Sequence, residues 1–469
     1  FTAQIIGKGK DVSVSSADLK IIFTDSDGAI SGSNIEPGWS DTKTFTIENK
    51  SNETYKYNIV IQDLVNTFVT NGYLQYKITS TNGGYNMTEF KDVPKSSVAT
   101  DTILAYSVVI PNGVTQSYTI EFKYVNDESV DQSDDMGKKL SGKLFITEGT
   151  EDPNKTLYNQ LLADKSTKLT RTDFSTVLTT NNTKTLYTGV EDSKTVYYFA
   201  GNATDNWVKF GKNASNQDIY WRIIRTNSDG GVRLLYHGTS TTATDAYIGT
   251  SAFNSSYNNI AYVSYMYGNL GSVANARENT TDSTIKTIID NWYKDNLNTN
   301  YGKYLSTTAV YCNDRSTSDN KNFGARTRLY TNKTPSYDCT ATEDKFTVDT
   351  STGNGKLTYP IALMTADEVS FAGGLWATNV STWYYYNSAN GSSTGSSWWW
   401  LLSPSNWNGT VARVFRVGGS PYPGDLNNFY VYNTNAVRPA LSLKSCVKYS
   451  SGDGSASAPY TIKQTTSGC

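Results

Sequence analysis

The first third of the chain alternates apolar and polar positions in short runs closed by turn signals, a pattern that can bury one side of itself only as β-strands. Val12-Ser-Val14, Leu19-Lys-Ile21-Ile-Phe23, Phe45-Thr-Ile47, Tyr57-Asn-Ile59-Val-Ile61, Leu74-Gln-Tyr76-Lys-Ile78, Ser107-Val-Val-Ile110, Tyr118-Thr-Ile120-Glu-Phe122 and Leu144-Phe-Ile146 are the runs. Between them stand Asp27-Gly28, Pro37-Gly38, Asn71-Gly72, Asn82-Gly83-Gly84 and Asn112-Gly113, each a turn for which glycine supplies the positive φ. Strands at this spacing over residues 11–148 predict a jelly-roll β-sandwich.

Residues 1–10 stand apart from that domain. Phe1, Thr2, Ala3, Gln4, Ile5 and Ile6 read as a short apolar strand, and Gly7-Lys8-Gly9 as a flexible joint behind it. A strand on such a joint is free to leave its own domain and add to the sheet edge of another copy. Phe1 is not a translational start, so the expectation is either that a preceding segment has been removed or that the chain begins inside a longer precursor.

Four features in fixed order carry a resemblance. Phe1, a strand around Ala17-Asp18-Leu19, the turn Ile35-Glu36-Pro37-Gly38-Trp39-Ser40 and the run Lys43-Thr-Phe45-Thr-Ile47-Glu-Asn49-Lys50-Ser51 are similar to the TasA and camelysin family of biofilm-matrix fibre proteins. Ile35 occupies the position where that family has Leu. The resemblance covers about a third of the chain. It implies a secreted bacterial subunit whose N-terminal strand completes the sheet of the next subunit, so that the protein's partner is itself and the product is an extracellular or cell-surface filament.

Residues 149–185 read as a linker with a short helix, since Gly149-Thr-Glu-Asp-Pro153 is turn-rich and Thr156 to Leu162 places Leu157, Leu161 and Leu162 on one side. From 186 the pattern changes. Thr195–Phe199, Trp207–Phe210, Ile219–Ile224 and Val232–Tyr236 read as strands, the last two joined by the hairpin turn Ser228-Asp-Gly-Gly231. Ser283 to Leu297 is an amphipathic helix with Ile285, Ile288, Ile289 and Trp292 on its stripe, capped by Asp282 or Ser283. Thr365-Ala-Asp-Glu368 is a capping box whose helix Gly373-Gly374 closes. Strands return at Ser397–Leu402, Thr410–Phe415, Asn428–Tyr432 and Val437–Leu443.

Tyr198-Phe-Ala-Gly-Asn202, Trp221-Arg-Ile-Ile224, Tyr359 to Glu368, Trp399-Trp-Leu-Leu-Ser-Pro404, Ala436 to Leu443 and Gly452 to Ile462 together resemble an uncharacterised domain of secreted bacterial surface proteins. That domain is similar in pattern to the C-type-lectin and formylglycine-generating-enzyme group of folds. The resemblance implies an α+β lectin-like display domain over 186–446, with 447–469 as a C-terminal tail, and so a mainly β protein overall.

Composition bounds the partners. The 469 residues carry net charge −2, with 18% charged and 13% aromatic residues, which offers nucleic acid or an anionic membrane no basic face. No apolar run reaches the length needed to cross a bilayer as a helix. Four cysteines without ligand spacing fit oxidation outside the cell. Neighbour pairing of Cys312 with Cys339 and of Cys446 with Cys469 would staple one loop and one end, although three connectivities are open.

The inventory for catalysis is thin. His237 is the only histidine and ends a strand, and the absence of His-Glu-x-x-His removes a zinc protease of that type. Asp25-Ser-Asp27-Gly28 begins like a calcium loop without the later acidic ligand and reads as a plain turn, and the acidic run Asn126 to Asp135, which could collect calcium, reads better as a solvated loop. Cys446 is not set in the motif of the formylglycine-generating enzymes. Asn-x-Ser/Thr triplets at Asn49, Asn52, Asn86, Asn202 and Asn408 arise readily in a chain this rich in Asn, Ser and Thr. The expectation is therefore no enzyme, no cofactor and no metal.

Binding is the better reading of the C-terminal aromatics. Trp398, Trp399, Trp400, Asn406, Trp407, Tyr422, Asn427, Tyr430 and Tyr432 combine flat apolar faces with amides, which suits sugar rings or a protein partner. Asn406, Trp407, Tyr422, Asn427 and Tyr430 form the candidate ligand surface, with Trp407 and Tyr422 in polar loops. The alternative to a fibre subunit is a non-polymerising surface adhesin that binds glycan or host protein through the same residues.

Overall fold

The alternating runs of the first third become strands β1 (Val12–Ser16), β2 (Leu19–Asp25), β3 (Ala29–Gly32), β4 (Ser40–Asn49), β5 (Tyr55–Asn66), β6 (Leu74–Ser80), β7 (Lys91–Asp92), β8 (Ser96–Ile110), β9 (Thr115–Tyr124) and β10 (Leu140–Glu148). The computed structural model describes residues 12–16, 19–25, 29–32, 35–180, 183–383 and 394–469. The expected exchange strand, Phe1 to Ile6, and the Asp27-Gly28 turn lie outside the described residues. The protein is mainly β, in two units, Phe1–Pro153 and Asn154–Cys469.

In the first unit, one sheet has the order β1-β2-β4-β9-β6-β7 and a second the order β3-β10-β5-β8. Period-two patterning sets which side is buried. Gln116, Tyr118, Ile120, Phe122 and Tyr124 of β9 are buried while the residues between them face outward. Phe45, Ile47, Ile78 and Ile120 of the first sheet share one apolar cluster with Ile59, Ile61, Leu144 and Ile146 of the second. A polar link crosses that core, where the Tyr57 hydroxyl donates to Gln116 Oε1 at 2.6 Å.

Two sequence motifs have clear local causes. Trp39 N–H donates to the Glu36 carbonyl at 2.9 Å, with Pro37 and Gly38 between them and Gly38 at φ +91°. This is the type II turn that Pro-Gly favours. Asn49 is fully buried and closes the turn after β4: its Nδ2 donates to the carbonyls of Glu53 and Ile110, and its Oδ1 accepts from Ser51 N–H. Buried in this way, Asn49 cannot accept a glycan.

β10 has an unfinished side. β3 pairs with it only from Leu140 to Lys143, while β5 follows it from Leu140 to Glu148. Along Leu144–Glu148 the side away from β5 carries no strand among the described residues.

The second unit is built on an eight-stranded and a five-stranded sheet. The larger runs Thr167–Thr170, Thr185–Glu191, Lys194–Tyr198, Asp218–Thr226, Val232–Tyr236, Pro439–Leu443 and Ile361–Leu363, with Trp207–Lys212 also on Asp218–Thr226. The smaller contains Trp399–Trp407, Ala412–Val417 and Leu426–Tyr430. Segments read from sequence as connector and tail are integral here. Leu157 and Leu161 of helix Leu157–Asp164, capped by Thr156, sit in the core with Val447, Tyr460 and Ile462. Thr167–Thr170 pairs in parallel with Thr185–Thr188. The physical reason is that these short apolar groups have a sheet to cover, which local sequence cannot display.

The helix Thr284–Asn296 has Ser283 as its cap, with the side chain accepting from Lys286 N–H. Its buried stripe is Ile285, Ile289 and Tyr293, whereas Ile288 is exposed. The capping box at Thr365 and Glu368 opens the helix Ala366–Phe371. Cys312 pairs with Cys339 and Cys446 with Cys469. Among the described residues no helix is long and apolar enough to cross a membrane.

Candidate ligand-binding surface

Register places the predicted aromatics. Asn406 stands opposite Arg413 and Arg413 opposite Tyr430, while Arg416 stands opposite Asn427. Residues three apart on a strand point to opposite faces, so Arg413 and Arg416 mark two sides of the sheet. Asn406 and Tyr430 belong to the Arg413 side and Asn427 to the Arg416 side. Tyr422, 54% exposed, lies 6.1 Å from Trp398 between ring centroids. Trp407 is not in a loop: it ends its strand opposite Ala412 and is partly buried against the core. Trp399 and Trp400 are fully buried, the latter donating Nε1–H to the Ser251 carbonyl at 2.9 Å. They are core, because both sides of this strand are covered.

On the Arg416 side the guanidinium is held between two rings, 3.9 Å from the Trp398 centroid and 3.8 Å from that of Phe429. Its Nη1 donates to Asn435 Oδ1 at 3.2 Å and its buried Nε has no hydrogen-bond partner. Burial brings its pKa down to about 10, against the opposing pull of Asp425.

On the Arg413 side a longer array forms. The Arg413 guanidinium lies 4.6 Å over Tyr430, whose ring is parallel to Tyr432 at 5.7 Å, and Tyr432 meets Tyr257 at 4.7 Å. Phe415, on the same side two residues on, contacts Trp376 at 5.7 Å. Trp376 and Tyr330 are 5.1 Å apart, and Arg326 lies over both rings. Sequence reading singled out Asn406, Tyr430 and Tyr432 but missed Arg413, Arg326, Tyr330, Tyr257 and Trp376. The last four come from distant stretches, and no local signal joins them.

Sequence reading also missed a buried ionic centre. Glu368 Oε1 accepts from Arg225 Nε at 2.8 Å and Arg233 Nη1 at 2.7 Å, and Arg225 Nη2 donates to Glu191 at 2.8 Å. Alongside, Arg328 bridges Asp314 and Asp367. The available signal was arginine inside apolar strand runs, as in Trp221 to Arg225 and Val232-Arg233-Leu234, because charged residues are buried only when paired. Burial alone would raise the Glu368 pKa, and the Arg233 and Arg225 charges reverse this and hold it at about 2. The cavity beside the centre measures about 20 Å³, room for about one water. The centre ties the strands of Glu191, Arg225 and Arg233 to the helix that carries Glu368.

A wider polar cleft of about 480 Å³ is lined by Asp164, Lys165, Asp205 and Asp453 among others. Lys165 is already engaged there, donating to Asp205 Oδ2 at 2.9 Å and to the Asp453 carbonyl at 3.1 Å. His237 is buried against Trp207, and burial together with Arg438 and Arg222 keeps its pKa well below the usual value. In the acidic run, Asp127 accepts from Ser129, Asp131 from Ser133, and Asp135 from Val69, Thr70 and Tyr124. These carboxylates fold their own loop. Among the described residues no three His, Cys, Asp or Glu side chains are grouped to hold a metal ion. Compared with known proteins, the chain matches no family model and none of the curated proteins.

Proposed function

We propose that the protein is a secreted structural subunit. In this reading the first unit, a jelly-roll domain similar to those of TasA and camelysin, polymerises through residues Phe1 to Ile6, and the second is a lectin-like module carried on the filament. The observation that carries the reading is the side of β10 along Leu144–Glu148, which no described strand covers. An extended segment from another copy, of about the length of Phe1 to Ile6, would continue the line of β3 and satisfy the outward-facing backbone groups of that stretch. Two disulfides fit an oxidising extracellular setting.

Deletion of Phe1 to Gly9 tests this. Electron microscopy is expected to show filaments from the intact chain and none from the truncated one. A synthetic peptide of residues 1–9 is expected to bind the truncated subunit with one-to-one stoichiometry. Filaments formed by the truncated protein would overturn the proposal. A non-polymerising adhesin is the second reading, favoured by the exposed tyrosines of the second unit, and it expects no filaments from either form.

A further inference from the structure

We infer that the Arg413 side of the five-stranded sheet binds an acidic polysaccharide, its sugar rings on the tyrosines and its carboxylates on Arg413 and Arg326. The inference rests on the display reading of the second unit and is independent of polymerisation by the first.

Two observations point to this class of ligand. The first is unanswered positive charge: Arg413 and Arg326 make no ion pair among the described residues, and their guanidiniums lie over Tyr430 and Tyr330 rather than beside carboxylates. Arg413 Nε is buried without a hydrogen-bond partner, and burial, with the Arg413 charge adding to it, lowers the pKa of Arg326 against the pull of Tyr330. Such a pair is placed to gain from an anion between them. By contrast, Arg225, Arg233, Arg315 and Arg328 of the same unit each sit on a carboxylate.

The second observation is the shape of the array. Tyr257, Tyr432 and Tyr330 are 43%, 42% and 47% exposed; Tyr257, Tyr432 and Tyr430 form one run of rings ending at Arg413, and Tyr330 packs with Trp376 under Arg326 in a second group. Exposed ring faces stack against the apolar face of a pyranose, and guanidinium forks take carboxylates in two bonds at once. Two groups that each set exposed rings beside a guanidinium match a chain of uronic acids better than a neutral glycan, which leaves the arginines unanswered, or an acidic peptide, which leaves the rings unused.

Titration calorimetry of the full chain with polygalacturonate tests the inference, with dextran and polyglutamate as comparison polymers. Binding of polygalacturonate is expected, dextran is expected not to bind, and polyglutamate is expected to bind at least tenfold more weakly. Arg413→Gln and Arg326→Gln are each expected to weaken polygalacturonate binding by roughly tenfold, the scale of one charge-assisted contact. Tyr432→Ala and Tyr330→Ala should each weaken it by several-fold while circular dichroism is unchanged. Absence of binding, equal affinity for polyglutamate, or variants that bind like the parent would each overturn the assignment. Electron microscopy of the same samples reads polymerisation separately, so filaments without binding would sink this inference alone, and binding without filaments would sink the fibre proposal alone.

Discussion

Glu368 shows how one side chain can fix a fold. It caps the start of its own helix by accepting from Thr365 N–H at 3.0 Å and, in the same position, pairs with Arg225 and Arg233 in the core. Replacing one partner of a buried pair leaves the other charge uncompensated, so Glu368→Gln is expected to lower stability by about 3–5 kcal/mol in chemical denaturation. The acid limb follows from the same carboxylate. Its pKa falls from 4.5 in the ordinary state to about 2 when folded, so its contribution is complete above about 4.5 and is lost as pH falls toward about 2. Equilibrium unfolding across that range should show the parent losing stability and Glu368→Gln losing less. The capping box was legible from Thr365 to Glu368 because it is local. Its second role was not, since Arg225 and Arg233 lie 143 and 135 residues away.

At the level of elements, turns and caps were the most readable features because their causes lie within a few residues. Gly38 sits at φ +91°, and no atom lies within 4 Å of the point a Cβ would occupy there. Gly38→Ala therefore carries only backbone strain, expected at about 1–2 kcal/mol and measurable by thermal unfolding. Helix stripes were less readable. Ile288 and Tyr293 are both large and apolar, and only the packed partner decides that Tyr293 is buried and Ile288 exposed. The tryptophans make the same point on strands: Trp399 and Trp400 are covered on both sides, and Trp398 lies outside that buried pair, stacked on Arg416. Alternation gives the two sides of a strand but not how many of them are covered.

For the whole molecule, the two units have separate apolar clusters, and both disulfides belong to the second. Calorimetry is expected to resolve two transitions, and a reductant to lower only one of them. Each lost bridge should remove about 2–4 kcal/mol, and a single transition that shifts as a whole would contradict the division. The sequence by itself determined the class of structure: strands of period two, their turns, the caps, the confinement of cysteine to the second part and a net charge near zero. All of these depend on neighbours along the chain or on composition. Only the tertiary structure decided the cysteine pairing, the ionic centre around Glu368, the short reach of β3 along β10 and the union of Tyr257, Tyr330, Arg326 and Trp376 with Arg413. These depend on which distant segments become neighbours, and that is settled by the burial of apolar area over the whole unit, to which each short segment contributes without encoding the outcome.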